Sequence, residues 1–161
     1  SIGYTVGNLY LQFKNQDDLL ATINERTTDA MHAYLSAAIA PLSDPRERVR
    51  GLARAYIGFA QQHPERFCML FEHHLPSEML PRPSADMRIR RVFELVGSTV
   101  APLLPQAGAA ELHLAATALW SGVHGVCMLA VSGKLKWSGI EHFEPLSDLL
   151  VDTFIAGLMA S

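Results

Sequence analysis

Trp120 and His124 stand four residues apart in the run Trp120-Ser121-Gly122-Val123-His124-Gly125. On a helix that spacing stacks an indole and an imidazole on one face. The imidazole is the one side chain here whose charge changes near neutral pH. Gly122 and Gly125 leave room for a second helix or a small molecule to approach the backbone. The pattern suits either a hydrogen-bonded core histidine or a polar contact in a pocket. Met69, Phe71, Met87, Phe93 and Met128 add aromatic rings and thioethers to Trp120. Each alone reads as core, but as a set they suit one apolar, adaptable cavity.

Other chemistry finds little support. Of the seven histidines, His73 and His74 are adjacent. Neighbours on a helix point about 100° apart, so this pair lacks the four-residue spacing of helical zinc sites. There is no Cys-x-x-Cys, and no metal or cofactor is expected. The sequence has no Gly-x-Ser-x-Gly elbow, no phosphate-cradling glycine loop with lysine and no His-Glu-x-x-His, so no enzymatic activity is expected. Glu72 beside His73, and Cys127 near His124, are too slight to count as catalytic pairs. Arg88, Arg90 and Arg91 form a basic run, read as a solvated face or, alternatively, a hold for an anion.

The 161 residues suggest one globular body, with 49% hydrophobic and 18% charged residues. A net charge of −3 argues against a free-standing nucleic-acid binder. The two cysteines, Cys68 and Cys127, lie among apolar residues and read as buried free thiols in a reducing compartment, the cytoplasm. Residues 1–20 lack the basic start and apolar run of a signal peptide. Between Glu111 and Lys134 no charged residue occurs. That stretch could span a bilayer by length. Its histidines, glycines, threonine and serine favour a helix buried inside protein, and no membrane partner is expected.

Helical spacing recurs along the chain and no strand alternation is evident. A short helix is expected at 5–10. A long one follows Asn15, with Asp17 and Asp18 in its first turn. It ends near Ala40. Pro45 should open the next at its first helical position, and His63-Pro64 should break that one. Further helices are expected at 65–74, from Ser84 or Asp86 to about Pro102, at 109–132 and at 143–159. Gly133 suits the helix C-terminus before it.

The segment from Ile2 to Leu20 reads as a turn, a short helix, a second turn and the start of the long helix. Gly3, Thr5, Gly7, Leu9, Tyr10, Phe13, Leu19 and Leu20 resemble, in order, the end of the DNA-binding domain of TetR-family transcriptional regulators. Asn8 and Gln16 depart from that pattern, which usually has Thr and Lys there. The resemblance implies a recognition helix in which Thr5, Val6, Gly7, Asn8, Tyr10 and Lys14 meet operator DNA. Val6 would touch a thymine methyl, and Gly7 would let backbone approach phosphate. It also implies that the DNA-reading domain begins upstream of residue 1.

The run around Trp120 and His124 resembles the Trp-His-Gly signature of one class of TetR C-terminal domains. Leu119, Met128-Leu129 and Ser132-Gly133 fit that class, as do Phe59-Ala60, Pro64, Phe67, Met69, Leu70 and Phe71. This likeness covers about residues 50–135. The two resemblances imply an all-α protein, with a helix-turn-helix remnant at 1–20 and an effector-binding and dimerisation domain at 21–161. They imply a homodimer that binds operator DNA, most often as a repressor, and is released by a small hydrophobic effector. Leu146, Leu150 and Phe154 are expected near the dimer contact, with Glu141 and Asp148 at its rim. The alternative is a helical ligand-binding or dimerisation module without a DNA role.

Overall fold

The computed structural model describes residues 16–72 and 83–160. Thr5, Val6, Gly7, Asn8, Tyr10 and Lys14 lie outside the described residues, as do His73 and His74. The described residues form six α-helices and two short 3-10 turns, with no strand among them. The all-α expectation therefore holds. The helices are α1 Gln16–Ile39, α2 Pro45–Gln62, α3 Pro64–Glu72, α4 Pro83–Val100, α5 Ala109–Val131 and α6 Glu144–Ala160.

Local chemistry sets these boundaries. Helix α1 runs without a break across residue 20, where two domains were expected to meet. Thr22, Thr27 and Thr28 return their hydroxyl protons to the carbonyls of Asp18, Ile23 and Asn24, at 2.9, 2.8 and 2.9 Å. At the other end Arg48 donates through Nη1 to the carbonyls of Ile39 and Leu42, both at 2.9 Å. The Ile39 carbonyl also accepts from the Leu42 N–H at 3.2 Å, and Arg48 adds a charged donor at this helix terminus. Helix α2 opens as its sequence implies. Asp44 caps it by accepting from the Glu47 N–H at 2.9 Å, and Pro45 takes the first turn. Gly133, in the left-handed region at φ 70°, ends α5.

Helix α2 is the hub. It touches α1, α3, α4, α5 and α6. It buries Val49, Leu52, Ala53, Ala55, Tyr56, Ile57, Phe59 and Ala60. Its arginines are kept at the margins of that face. Arg50 pairs with Glu47 and with Asp152 of α6, the latter at 2.6 Å. Arg54 pairs with Asp148 of α6 at 2.5 Å and holds that carboxyl below the usual carboxylate range, mainly through this hydrogen bond. The basic run on α4 is tied down in the same way. Arg88 reaches Asp29 at 2.8 Å and Glu25 at 3.2 Å on α1, and Arg91 lies 3.9 Å from Asp29.

Helix α5 carries one charged residue, Glu111, in its first turn. It buries Ala115, Ala116, Leu119, Val123, Val126 and Cys127 against the rest of the chain. Only 33% of its most apolar stretch is buried, although the helix is long and apolar enough to cross a membrane. Leu114, Ala118, Ser121, Gly125 and Leu129 form an exposed stripe along its outer side. The uncharged stretch after Glu111 is expected to lie inside protein, and this chain alone covers only part of it. Within this chain, the helix carrying four arginines is enclosed instead, because its charges have partners at the edges.

Arg48 and Arg54 should therefore differ in worth. Arg48→Met leaves two carbonyls without their charged donor and should cost about 1–3 kcal/mol in urea unfolding. Arg54→Met removes a half-exposed ion pair and should cost less than about 1 kcal/mol.

Candidate functional site

The site grows out of two helices that cross. Tyr56 sits on the buried face of α2, and Trp120 and His124 sit one turn apart on α5. A buried phenol needs a polar partner. The Tyr56 hydroxyl finds His124 Nδ1 at 3.0 Å. Burial pushes the Tyr56 phenol up, away from ionisation, and the Trp120 indole N–H beside its oxygen works slightly the other way. Burial also lowers His124, so the imidazole is neutral at pH 7. The Tyr56 hydroxyl and His124 Nδ1 share this hydrogen bond, the imidazole tautomer setting which of them donates.

Aromatic rings surround this pair. His124 stacks on Trp120, centroids 5.1 Å apart and planes 19° from parallel. Phe71 of α3 lies 4.6 Å from the imidazole. Phe93 of α4 meets Trp120 edge-on at 5.2 Å, and Phe67 meets Tyr56 edge-on at 5.5 Å. Offset and edge-on contacts of this kind suit ring quadrupoles. They also stiffen the wall of a void.

That void is a cavity of about 220 Å3 lined by Thr28, Met31, Leu70, Phe71, Ile89, Val92, Phe93 and Trp120. It thus draws on α1, α3, α4 and α5. A second void of about 30 Å3 shares Val92 and Trp120 and extends toward Tyr56, Leu119 and Val123. Phe71, Phe93 and Trp120, singled out in the sequence, meet here. His124 stands beside the cavity, behind Trp120 and Phe71, and bonds to Tyr56 instead of lining it. Met87 is exposed on α4, while Met69 and Met128 are half-buried and outside the lining.

Thr28, Met31, Leu70, Ile89 and Val92 complete the wall. Their spacing marks buried faces, and nothing in it marks a gap between those faces. Tyr56 was legible in principle, since a tyrosine in a buried stripe calls for an acceptor. Among the described residues no cluster could hold a metal ion. Cys68 and Cys127 form no disulfide, and burial pushes the Cys127 thiol up to about 12. It is a poor nucleophile there.

The chain is thus an all-α body with an aromatic-walled cleft between its helices. Residues 49–154 match the family model of the tetracyclin repressor-like C-terminal domain, and the chain belongs to that family. Among solved structures it is similar to a protein of unknown function from Rhodococcus sp. RHA1. That match has 24% identity and a TM-score of 0.78, over 91% of this chain and 75% of the other. It is also similar to SCO4313, provisionally named a regulatory protein. There the identity is 19% and the TM-score 0.74, over 99% of this chain and 81% of the other. At these identities the likeness concerns the fold. No curated protein matches the chain.

The hydrogen-bonded pair predicts a pH response. His124 is depressed in the folded state, so the unfolded chain binds its proton more readily. Its contribution to stability is complete above the unfolded value of about 6.5 and is lost as pH falls below it. Thermal melts from pH 8 to pH 5 should show this loss, and His124→Phe should flatten part of it. Tyr56→Phe should cost about 1–3 kcal/mol at pH 7, because it strands a buried ring nitrogen.

Proposed function

We propose that this chain is the effector-binding and dimerisation part of a ligand-responsive transcriptional regulator of the Trp-His-Gly type, acting as a repressor on operator DNA. One observation carries the reading: the cavity of about 220 Å3 walled by Phe71, Phe93 and Trp120. The site is a half-open cleft between helices whose lining is almost wholly apolar. A small apolar molecule seated there would take that lining out of water.

The cavity's position supports regulation over storage. Thr28 and Met31 belong to α1, which leads back toward Thr5, Val6, Gly7, Asn8, Tyr10 and Lys14, the proposed DNA-contacting residues. An effector with unequal affinity for two settings of α1 shifts the balance between them. The paired recognition helices of a dimer would then lose the spacing that successive major grooves require. The name given to SCO4313 points the same way.

The outer side of α5 and α6 supports a homodimer. Leu114 is 70% exposed and Leu149 65% exposed, and Leu129 also faces out. Between the two leucines of α5 the stripe holds only small uncharged residues, so another backbone can come close. Leu146, Leu150 and Phe154 are half-buried and pack partly against the chain's own core. A Cβ on Gly122 would lie 3.2 Å from Leu150. The proposed contact therefore centres on Leu114, Leu129 and Leu149, with Leu146, Leu150 and Phe154 at its inner edge.

Two measurements test this. Sedimentation at micromolar concentration should show a dimer, and Leu129→Arg with Leu149→Arg should give a folded monomer. A monomer before mutation would sink the assembly. Gel-shift titration of the full-length protein against its own upstream region should show salt-dependent binding. Combined alanine changes at Thr5, Asn8, Tyr10 and Lys14 should abolish it. Unchanged affinity in that variant would mean the reader lies elsewhere.

A further inference from the structure

We infer that the cavity takes a neutral, planar aromatic molecule of one or two rings that carries a hydrogen-bond donor, the chemistry of a phenol or an indole. The inference rests on the effector reading above and goes beyond it in naming the ligand's class.

Size sets the first limit. A cavity near 150 Å3 lined by apolar side chains admits benzene. At about 220 Å3 this one has room for a substituted single ring or two fused rings. The adjoining void of about 30 Å3, across Val92 and Trp120, leaves room for a methyl-sized substituent.

Shape and charge set the second. Phe71, Phe93 and Trp120 supply three ring surfaces held by mutual contacts, with Phe93 edge-on to Trp120 at 5.2 Å and Phe71 at 6.4 Å from it. A flat ring can stack or meet an edge in that setting, whereas a flexible alkyl chain loses conformational freedom without that gain. Among the described residues no charged side chain lines the cavity. Arg88 and Arg91 of α4 face Glu25 and Asp29. A carboxylate would meet no counter-charge from these residues, at a cost in desolvation.

The polar wall sets the third. Among the described residues Thr28 is the one lining side chain with a hydroxyl, and it is only 4% exposed. Its proton is committed to the Asn24 carbonyl at 2.9 Å. The hydroxyl oxygen can therefore accept from a ligand but has no proton left to give. That hydroxyl oxygen calls for a donor. A phenol O–H or an indole N–H provides one; an ether does not.

Calorimetric titration of the chain with a matched set of probes tests the inference. The set is 4-ethylphenol, indole, 4-ethylanisole, 4-ethylbenzoate and 1-octanol. The first two should bind, with the anisole weaker than its phenol roughly three- to tenfold, as expected for one lost hydrogen bond. Benzoate and octanol should bind more weakly still. Thr28→Val should erase the preference for phenol over anisole while keeping anisole affinity, and Val92→Phe should block every probe by filling the cavity. Far-ultraviolet circular dichroism confirms that each variant is folded. Octanol or benzoate binding better than the aromatic donors, or a phenol preference that survives Thr28→Val, overturns the assigned class. Because Val92→Phe would still block those ligands, that result leaves the effector cavity standing. Binding of no probe, or binding untouched by Val92→Phe, overturns the cavity itself.

Discussion

Everything in this fold depends on α2 being acceptable to five neighbours at once. A helix in that position must present apolar surface on most sides, yet α2 carries Arg46, Arg48, Arg50 and Arg54. The conflict is resolved by position and partner. Arg48 turns to the end of α1, and Arg50 and Arg54 turn to carboxylates on α6. Each charge thereby fastens a neighbour to the hub. The remaining face is free to bury Leu52, Tyr56 and Phe59, and Tyr56 makes a polar contact from α2 into α5.

The hydrogen bond between Tyr56 and His124 follows from that arrangement, and the cavity follows from the bond. With His124 held by α2, its ring stacks on Trp120 and fixes the indole against Phe93. The walls are stiff because each aromatic ring is trapped by another. A softer set of side chains would collapse into the space and close it. The cavity thus persists through rigidity of its lining, with α1 and α4 forming one side and α3 and α5 the other.

Much of the helical order was legible in the sequence. Asp44-Pro45 and His63-Pro64 carry their own start and stop chemistry, and Gly133 carries the left-handed turn. Trp120 and Phe93 were recognisable as partners in one apolar cluster. The role of α5 was harder to read. Lack of charge signals a surface that avoids water and does not say whether the same chain covers it. Leu150 illustrates the point: its spacing suits a contact surface, but Gly122 opposite draws it toward α5 within the chain. Leu149, its neighbour, is left outside. Thr28 was invisible as a site residue because its significance lies in a proton already given away, a fact of geometry with no trace in residue type. Residues 1–15 carry the resemblance on which the DNA reading rests, and they lie outside the described structure.

Helix α1 has a mechanical consequence. Its 24 residues form one uninterrupted rod, about 36 Å long at the usual rise. Arg48 clasps one end of the rod, and the cavity touches its middle at Thr28 and Met31. Gln16 stands about 18 Å beyond Thr28 along the axis. Arg88 ties the rod to α4 on both sides of Thr28, at Glu25 and Asp29. On the proposed effector reading, a rod pivoting near Ile39 would carry a displacement at Thr28, enlarged, to Gln16 and would draw those ion pairs with it.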